Sequence, residues 1–138
     1  MVDIIEGYEI KYKKKELNNY LLITPAKNEE KNLQILINSI INQTHIPLIW
    51  IIIDDGSDDD TKLIIEKAAS SFAWIHGIYL NTRDTYNLEM HYSYLCQIGF
   101  KFAIEKITES KIMFDFIALS DADCEYPPDY FYTIIDYL

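Results

Sequence analysis

Cysteine, glycine and proline are all scarce in this sequence, and each shortage argues against particular classes of protein. The two cysteines, Cys96 and Cys124, show no metal-ligand spacing, and we expect both thiols to be free. Four glycines and four prolines in 138 residues are too few for a low-complexity or linker-rich chain. The sequence also lacks a signal peptide, and two lone cysteines fit a reducing compartment, so we predict a cytoplasmic protein.

Long hydrophobic runs and an excess of positive charge are also missing. The longest apolar run, Leu48 to Ile53, is far too short to span a bilayer, so no transmembrane segment is predicted. The formal net charge of −10 would repel a phosphate backbone, which disfavours broad nucleic-acid binding. We interpret the basic cluster as a solvated segment, although contact with anionic lipid at the inner face of the membrane stays open; it comprises Lys11, Lys13, Lys14 and Lys15.

The apolar residues follow two alternating periodicities. Short continuous runs, typical of buried strands, alternate with stretches in which apolar residues recur every three or four positions, as in amphipathic helices. We predict strands over residues 20–24, 48–53, 74–80 and 114–119, with a helix after each. This order predicts an α/β fold with a mostly parallel central sheet and helices on both faces. Residues 1–19 show no strong period and are treated as a leader of uncertain structure.

Polar residues and prolines set the predicted boundaries of these elements. Pro25 is expected to end the first strand. Asn28 is a favourable N-cap for the first helix, and Ser57 with Asp60 resembles the capping box of the second. The pair Pro127-Pro128 is expected to open the last helix.

Two pairs of acidic residues follow predicted strands. Asp54 and Asp55 end the second strand, and Asp121 and Asp123 follow the fourth, where ligands bind in parallel sheets. Asp121 and Asp123 can direct oxygens at one hard cation, Mg²⁺ or Mn²⁺; the alternative is a polar turn that caps the next helix. Asp54 or Asp55 can accept a hydrogen bond from a base or a ribose, or belong to an ordinary Asp-Gly turn.

The segment from Pro25 to Glu30 completes the pattern. It is either a strand end with a helix cap or a backbone surface for a nucleotide base beside a helix N-terminus. Together with Asp54-Asp55-Gly56-Ser57 and Asp121-Ala122-Asp123, its order and spacing resemble family 2 of the inverting glycosyltransferases. The likeness covers residues 20–138 and includes Asn42-Gln43-Thr44 and Pro127-Pro128-Asp129-Tyr130-Phe131.

The resemblance implies a GT-A fold, a UDP- or GDP-linked sugar donor and a Mg²⁺ or Mn²⁺ cofactor. It also implies inverting, hexosyltransferase-like transfer to a glycan, lipid or protein acceptor, in the biosynthesis of the cell wall or another glycan. The residues that it assigns to nucleotide binding are Pro25, Ala26, Lys27, Glu29, Asp54, Asp55, Arg83 and Asp121.

Within that set the resemblance implies distinct roles. Asp55 is expected to hydrogen-bond the base, and Asp54 to support the turn that carries it. Asp123 is expected to be the direct metal ligand on the diphosphate, with Asp121 near both the ribose and the metal. The family's Gly-rich segment further along the chain survives here only as Gly99.

The catalytic base of the family is an acidic residue well downstream of the Asp-x-Asp motif, so we expect it beyond Leu138. The chain is therefore expected to be truncated at its C-terminus, with residues 20–138 binding the donor without transferring sugar. Two other functions stay open: a sugar-phosphate nucleotidyltransferase and a non-catalytic nucleotide- or metal-binding module. A nucleotidyltransferase usually carries a Gly-rich, basic phosphate loop where this chain has the acidic segment 25–30.

Overall fold

The computed structural model describes residues 2–5, 8–11, 18–81 and 88–138. The strands are β1 Val2–Ile5, β2 Tyr8–Lys11, β3 Tyr20–Ala26, β4 Ile49–Asp55, β5 Ile75–Leu80 and β6 Phe116–Leu119. The helices are α1 Leu33–Ile41, α2 Thr61–Ser71, α3 Leu88–Ser110 and α4 Tyr130–Tyr137. The alternating β-α order predicted from residue 20 onward is confirmed.

The central sheet has the strand order β5-β4-β3-β6, and all of its neighbouring strands are parallel. The chain moves outward from β3 to β4 and β5, then crosses back to place β6 on the other side of β3. Because parallel crossovers are right-handed, this reversal puts the connecting helix α3 on the opposite face from α1 and α2. Strand order therefore reverses beside β3, where such sheets bind ligands.

Two buried cores flank the sheet, because β3 and β4 carry apolar side chains on both faces. One core packs Leu22 and Ile52 against α1, α2 and α4. The other packs Ile23 and Ile51 against α3. The predicted arrangement of helices on both faces is thus confirmed. Trp50 is fully buried, and its indole N–H donates to the Thr24 hydroxyl at 3.0 Å, which ties β4 to β3.

The leader, for which no structure was predicted, contains an antiparallel pair of short strands. β1 pairs with β2 in a register that runs from Val2 opposite Lys11 to Ile5 opposite Tyr8. The two strands form a two-stranded sheet of their own.

The predicted end of the first strand at Pro25 is wrong, because β3 continues to Ala26. Pairing between β3 and β6 stops at Ile23 and Leu119, whereas pairing between β3 and β4 continues through Pro25 and Ala26. Beyond Ile23 the strand is therefore bonded on one side only, and proline is tolerated in a strand at such an edge.

The predicted cap of the first helix is also wrong, because α1 begins at Leu33 and its N-cap is Asn32. Asn28 has a φ of 52°, in the left-handed region, and its side chain bonds to the loop after β4. Likewise Ser57 does not cap α2: the N-cap is Asp60, and the Ser57 hydroxyl accepts the Asn28 N–H. Contacts between loops, which local sequence patterns do not contain, override both capping predictions.

Two further expectations concern cysteines and membrane spans. Cys96 and Cys124 are both free, as predicted. Among the described residues, no helix has the length and apolar character needed to cross a membrane.

Candidate functional site

The predicted site residues lie at the carboxyl edge of the parallel sheet. Ala26 at the end of β3 is paired with Asp54 of β4, and Asp55 follows as the last residue of that strand. The segment that holds Asp121 and Asp123 leaves β6 directly beyond Leu119, on the other side of β3. The fold therefore brings the ends of β3, β4 and β6 to one edge, on both sides of the point where strand order reverses.

A tight turn follows β4 and depends on Asp54 and Gly56. Asp54 is 3 % exposed, and its Oδ1 accepts the Ser57 N–H at 3.2 Å. Gly56 has a φ of 70°, which a residue with a side chain adopts only at a cost. The turn redirects the chain immediately after Asp55 and keeps that residue at the strand end.

The loop after β3 and the loop after β4 are joined by reciprocal hydrogen bonds; we call residues 28–30 and 57–61 the paired loops. Backbone N–H groups of the first loop donate to side chains of the second: Asn28 to Ser57 Oγ at 2.9 Å, Glu29 to Thr61 Oγ1 at 2.8 Å and Glu30 to Asp59 Oδ2 at 3.2 Å. In the other direction, Asp58 N–H donates to Asn28 Oδ1 at 2.8 Å and Asp60 N–H to Glu30 Oε2 at 3.1 Å. Each loop thus holds the conformation of the other.

The residues predicted to border the base differ in exposure. Ala26 is buried, Pro25 and Glu29 are half-buried, and Lys27 is exposed. The Glu29 carboxylate accepts the Asn32 side-chain amide at 3.0 Å, so it turns toward the start of α1. Arg83, also predicted to contact the nucleotide, lies outside the described residues.

Asp55 has a partner that sequence reasoning missed. The His91 Nε2 of α3 lies 2.7 Å from Asp55 Oδ2, and the two side chains are only 15 % and 6 % exposed. The sequence showed three scattered histidines without a ligand pattern, and nothing local connects positions 55 and 91. The contact exists because α3 crosses back over β4 on its way to β6.

Asp121, Asp123 and Cys124 form a group of potential metal ligands. Among the described residues, the carboxylate oxygens of Asp121 and Asp123 and the Cys124 sulfur all lie within 4.8 Å of one another. Both carboxylates are exposed and Cys124 is half-buried. Two exposed carboxylates suit a hard divalent cation that keeps water and phosphate in its remaining positions, so the residues fit Mg²⁺ or Mn²⁺. Spacing alone had given Cys124 no place in such a group.

Tyrosines secure both ends of the segment that carries these acids. The Tyr92 hydroxyl of α3 donates to Asp121 Oδ1 at 3.1 Å, and the Tyr126 hydroxyl donates to Ser120 Oγ at 2.8 Å. Partial burial raises the pKa of Tyr92 above its usual value, and the neighbouring Cys96 and Asp121 raise it further. Burial likewise raises the pKa of Tyr126 to about 12. Both hydroxyls are protonated at neutral pH, as tyrosine hydroxyls ordinarily are, and the raised pKa values extend this to more alkaline pH.

Two motif segments distant in sequence, Asn42-Gln43-Thr44 and Pro127–Phe131, contact each other directly. Gln43 is 6 % exposed; its Nε2 donates to the Pro127 carbonyl at 2.7 Å, and its Oε1 accepts the Phe131 N–H at 3.2 Å. The Thr44 N–H adds a bond to the Pro128 carbonyl at 2.9 Å. These residues anchor the chain after Asp123 to the end of α1, which is a structural role.

A groove of about 710 Å³ lies away from the strand ends. It runs between α1 and the 125–128 segment, with Ile35 and Asn38 on one wall and Glu125 and Pro127 on the other. None of the residues predicted to bind the nucleotide or the metal lines it. We therefore place the candidate site on the geometry of the strand ends and not on this groove.

Comparison with known proteins gives a family and a fold. The sequence profile described as Glycosyl transferase family 2 matches residues 21–138. No curated protein matches the chain by sequence.

Several solved structures share the fold at low sequence identity. Staphylococcus aureus TarS 1–349 in complex with UDP-GlcNAc superposes with a TM-score of 0.64 at 20 % identity, over 86 % of this chain and 30 % of that one. The longer S. aureus TarS structure gives 0.63 at 20 % identity, over 86 % of this chain and 19 % of that one. The mannosyltransferase PcManGT from Pyrobaculum calidifontis, in complex with GDP-Man and Mn²⁺, gives 0.56 at 15 % identity, over 81 % of this chain and 29 % of that one. The chain thus spans less than a third of the length of each.

Proposed function

Because the chain belongs to glycosyl transferase family 2 and has the GT-A fold, we propose that it forms the donor-binding part of a glycosyltransferase. In this proposal it binds a nucleoside-diphosphate sugar and a divalent cation at the carboxyl edge of its sheet. The observation that carries the proposal is the placement of Asp55 and the Asp121–Asp123 segment at the same edge of the sheet, on the two sides of β3, where strand order reverses.

The proposed division of the site follows from the two acid groups. Asp55, held at the end of β4, accepts a hydrogen bond from the base. Pro25, Ala26 and Lys27 border the base, with Glu29 and Arg83 near the nucleotide. Asp54 supports the site indirectly, because its side chain accepts the Ser57 N–H within the turn.

Asp123 is the proposed direct metal ligand, and Asp121 lies beside the metal and the ribose. Their carboxylates, close to each other and exposed, are the kind of oxygen ligands that Mg²⁺ and Mn²⁺ prefer. A bound cation would supply positive charge next to the diphosphate oxygens. The Mn²⁺ in the PcManGT complex makes Mn²⁺ the first metal to test.

The proposed reaction is a single displacement with inversion. The acceptor hydroxyl oxygen forms a bond to the anomeric carbon while the bond from that carbon to the diphosphate oxygen breaks. The nucleoside diphosphate leaves with the electron pair, and the hydroxyl proton passes to a carboxylate base. We assign no residue of this chain as that base, so the proposal for the chain itself is donor binding.

Calorimetric titration of the chain with UDP and with GDP, each with and without Mn²⁺, tests the proposal. UDP and GDP are the nucleotide parts of the donors in the TarS and PcManGT complexes. We expect one of the two to bind in a Mn²⁺-dependent way, and Asp123→Ala to weaken that binding about tenfold or more, because it removes a charged ligand.

A matched control is Glu125→Ala, which removes an exposed carboxylate two residues further along on the α1 side. This variant is expected to bind as the unaltered chain does. Equal losses in the two variants would indicate general electrostatics and contradict the metal assignment. A folded chain that binds neither nucleotide at millimolar concentration would overturn the donor-binding proposal.

A further inference from the structure

Two adjacent residues of α3 reach the two separate acid groups of the candidate site. His91 contacts Asp55 at the end of β4, and Tyr92 contacts Asp121 beyond β6. Consecutive residues on a helix point about 100° apart, so one turn of a helix can contact residues on both sides of β3. Neither residue belongs to the motifs that carry the family likeness.

The contact between His91 and Asp55 is suited to fixing a carboxylate. The 2.7 Å distance is that of a strong, charge-assisted hydrogen bond, and both side chains are largely removed from water. An aspartate at a strand end can rotate about two side-chain bonds, and a hydrogen bond to one oxygen restricts that rotation. The contact with His91 of α3 thereby restrains the orientation of the Asp55 side chain.

The contact between Tyr92 and Asp121 acts in the same way at the other acid group. The hydroxyl donates to Oδ1 at 3.1 Å, and Asp121 lies within 4.8 Å of Asp123 and Cys124. Residues that hydrogen-bond a metal ligand orient it and tune its affinity. Tyr92 is therefore placed to orient Asp121 beside a cation.

We propose that His91 and Tyr92 are positioning residues, His91 orienting Asp55 for the nucleotide base and Tyr92 orienting Asp121 for the metal. The inference rests on the proposed donor-binding function and adds to it separate roles for two residues of one helix. His91 acts on recognition of the base, and Tyr92 acts on the requirement for the cation. α3 thus joins the two halves of the donor site.

The test for His91 compares two unbranched replacements of similar length. His91→Gln keeps an N–H donor that can reach Asp55, and His91→Met removes it. In titrations with UDP or GDP, whichever binds the unaltered chain, at saturating Mn²⁺, we expect His91→Met to weaken binding about tenfold and His91→Gln to stay within about threefold. The Mn²⁺ concentration that gives half-maximal nucleotide binding is expected to stay unchanged in both variants.

The test for Tyr92 uses Tyr92→Phe, which removes only the hydroxyl. We expect the Mn²⁺ concentration for half-maximal nucleotide binding to rise about tenfold or more. At saturating Mn²⁺ the nucleotide affinity is expected to return close to that of the unaltered chain. Each variant therefore serves as the control for its neighbour, and urea unfolding of each confirms that it is folded.

The outcomes separate this inference from the function on which it rests. A folded, unaltered chain that binds neither nucleotide contradicts the proposed function itself. A nucleotide affinity unchanged by His91→Met, together with a Mn²⁺ requirement unchanged by Tyr92→Phe, overturns the positioning roles and leaves donor binding intact. Equal losses in His91→Gln and His91→Met would show that the hydrogen bond to Asp55 is not what matters, and would also overturn the role of His91.

Discussion

At the scale of single residues, the contacts of Gly99 show why α3 has a residue without a side chain at this position. An added Cβ at this position would meet Ile23 Cγ2 and Ile53 Cδ1, each at 2.8 Å. Both isoleucines are fully buried in the core beneath α3 and cannot move aside freely. The glycine that matched a Gly-rich family segment is therefore accounted for by close packing of α3 on the sheet.

We expect Gly99→Ala to lower the free energy of unfolding by about 1–3 kcal/mol, because it overpacks a filled core. Urea denaturation monitored by circular dichroism measures the change. Ser93→Ala, at an exposed position of the same helix, is the matched control and should stay within about 0.5 kcal/mol. A Gly99→Ala variant as stable as this control would contradict the packing argument.

Sequence patterns identified the acids of the candidate site but not the residues that contact them. Asp54, Asp55, Asp121 and Asp123 stand directly after apolar runs, so their arrival at one edge of the sheet followed from the alternating β-α order. His91 could not be found in this way, because its contact depends on how α3 crosses the sheet and not on any local spacing.

At the scale of secondary-structure elements, the buried side-chain amide of Gln43 links the end of α1 to the start of α4. Gln43 accepts the Phe131 N–H in the first turn of α4 and donates to the Pro127 carbonyl. Helix N-termini leave N–H groups that need partners, and a buried one without a partner is costly. The Gln43 side chain thus bonds both to the start of α4 and to the segment after Asp123, beside the bond from the Thr44 N–H to the Pro128 carbonyl.

We expect Gln43→Leu to lower the free energy of unfolding by about 1–3 kcal/mol, because it removes the acceptor of the buried Phe131 N–H. The Pro127 carbonyl loses one of two donors and keeps the Tyr130 N–H. Gln34→Leu is the control: Gln34 is exposed on α1 and bonds to the Asn38 side chain. Its effect should be within about 0.5 kcal/mol. Urea unfolding measures the stability of both variants. Equal losses of stability would contradict the role given to Gln43.

The element boundaries show where local reasoning stops. The existence and order of the main strands and helices followed from apolar periodicity, but Pro25 does not end β3 and Asn28 does not cap α1. In both cases the deciding partner is remote in sequence: β4 for the strand and the loop at Ser57 and Asp58 for the asparagine. A local sequence pattern contains the residue at the boundary but not the remote partner that decides its role.

At the scale of the whole molecule, tyrosines with raised pKa values make the stability of the fold fall at alkaline pH. Tyr20 is fully buried, and its hydroxyl donates to the His45 carbonyl at 2.7 Å. Burial raises the pKa of Tyr20 well above its usual range and that of Tyr126 to about 12. Since these pKa values are higher in the folded chain, the unfolded chain loses protons first as pH rises above about 10.

The free energy of unfolding is therefore expected to be constant with respect to these groups below about pH 10 and to fall as pH rises toward 12, by up to about 1.4 kcal/mol per pH unit for each group. Urea titrations over this range measure the slope. Tyr20→Phe should make the slope shallower, whereas Tyr137→Phe, at a side chain that is 92 % exposed, should leave it unchanged. A slope that Tyr20→Phe does not alter would contradict the assignment.

The paired loops have a consequence for how the site edge opens. Five amide protons, those of Asn28, Glu29, Glu30, Asp58 and Asp60, donate to side chains of the opposite loop. Separation of the loops would break all five bonds, so these amides should show one common free energy of opening in hydrogen exchange, as a cooperative unit. Exchange read by NMR and corrected for the intrinsic rate of each amide would show this, and five unrelated opening free energies would mean that the loops open independently. Motifs that are thirty residues apart in sequence would then share one local stability.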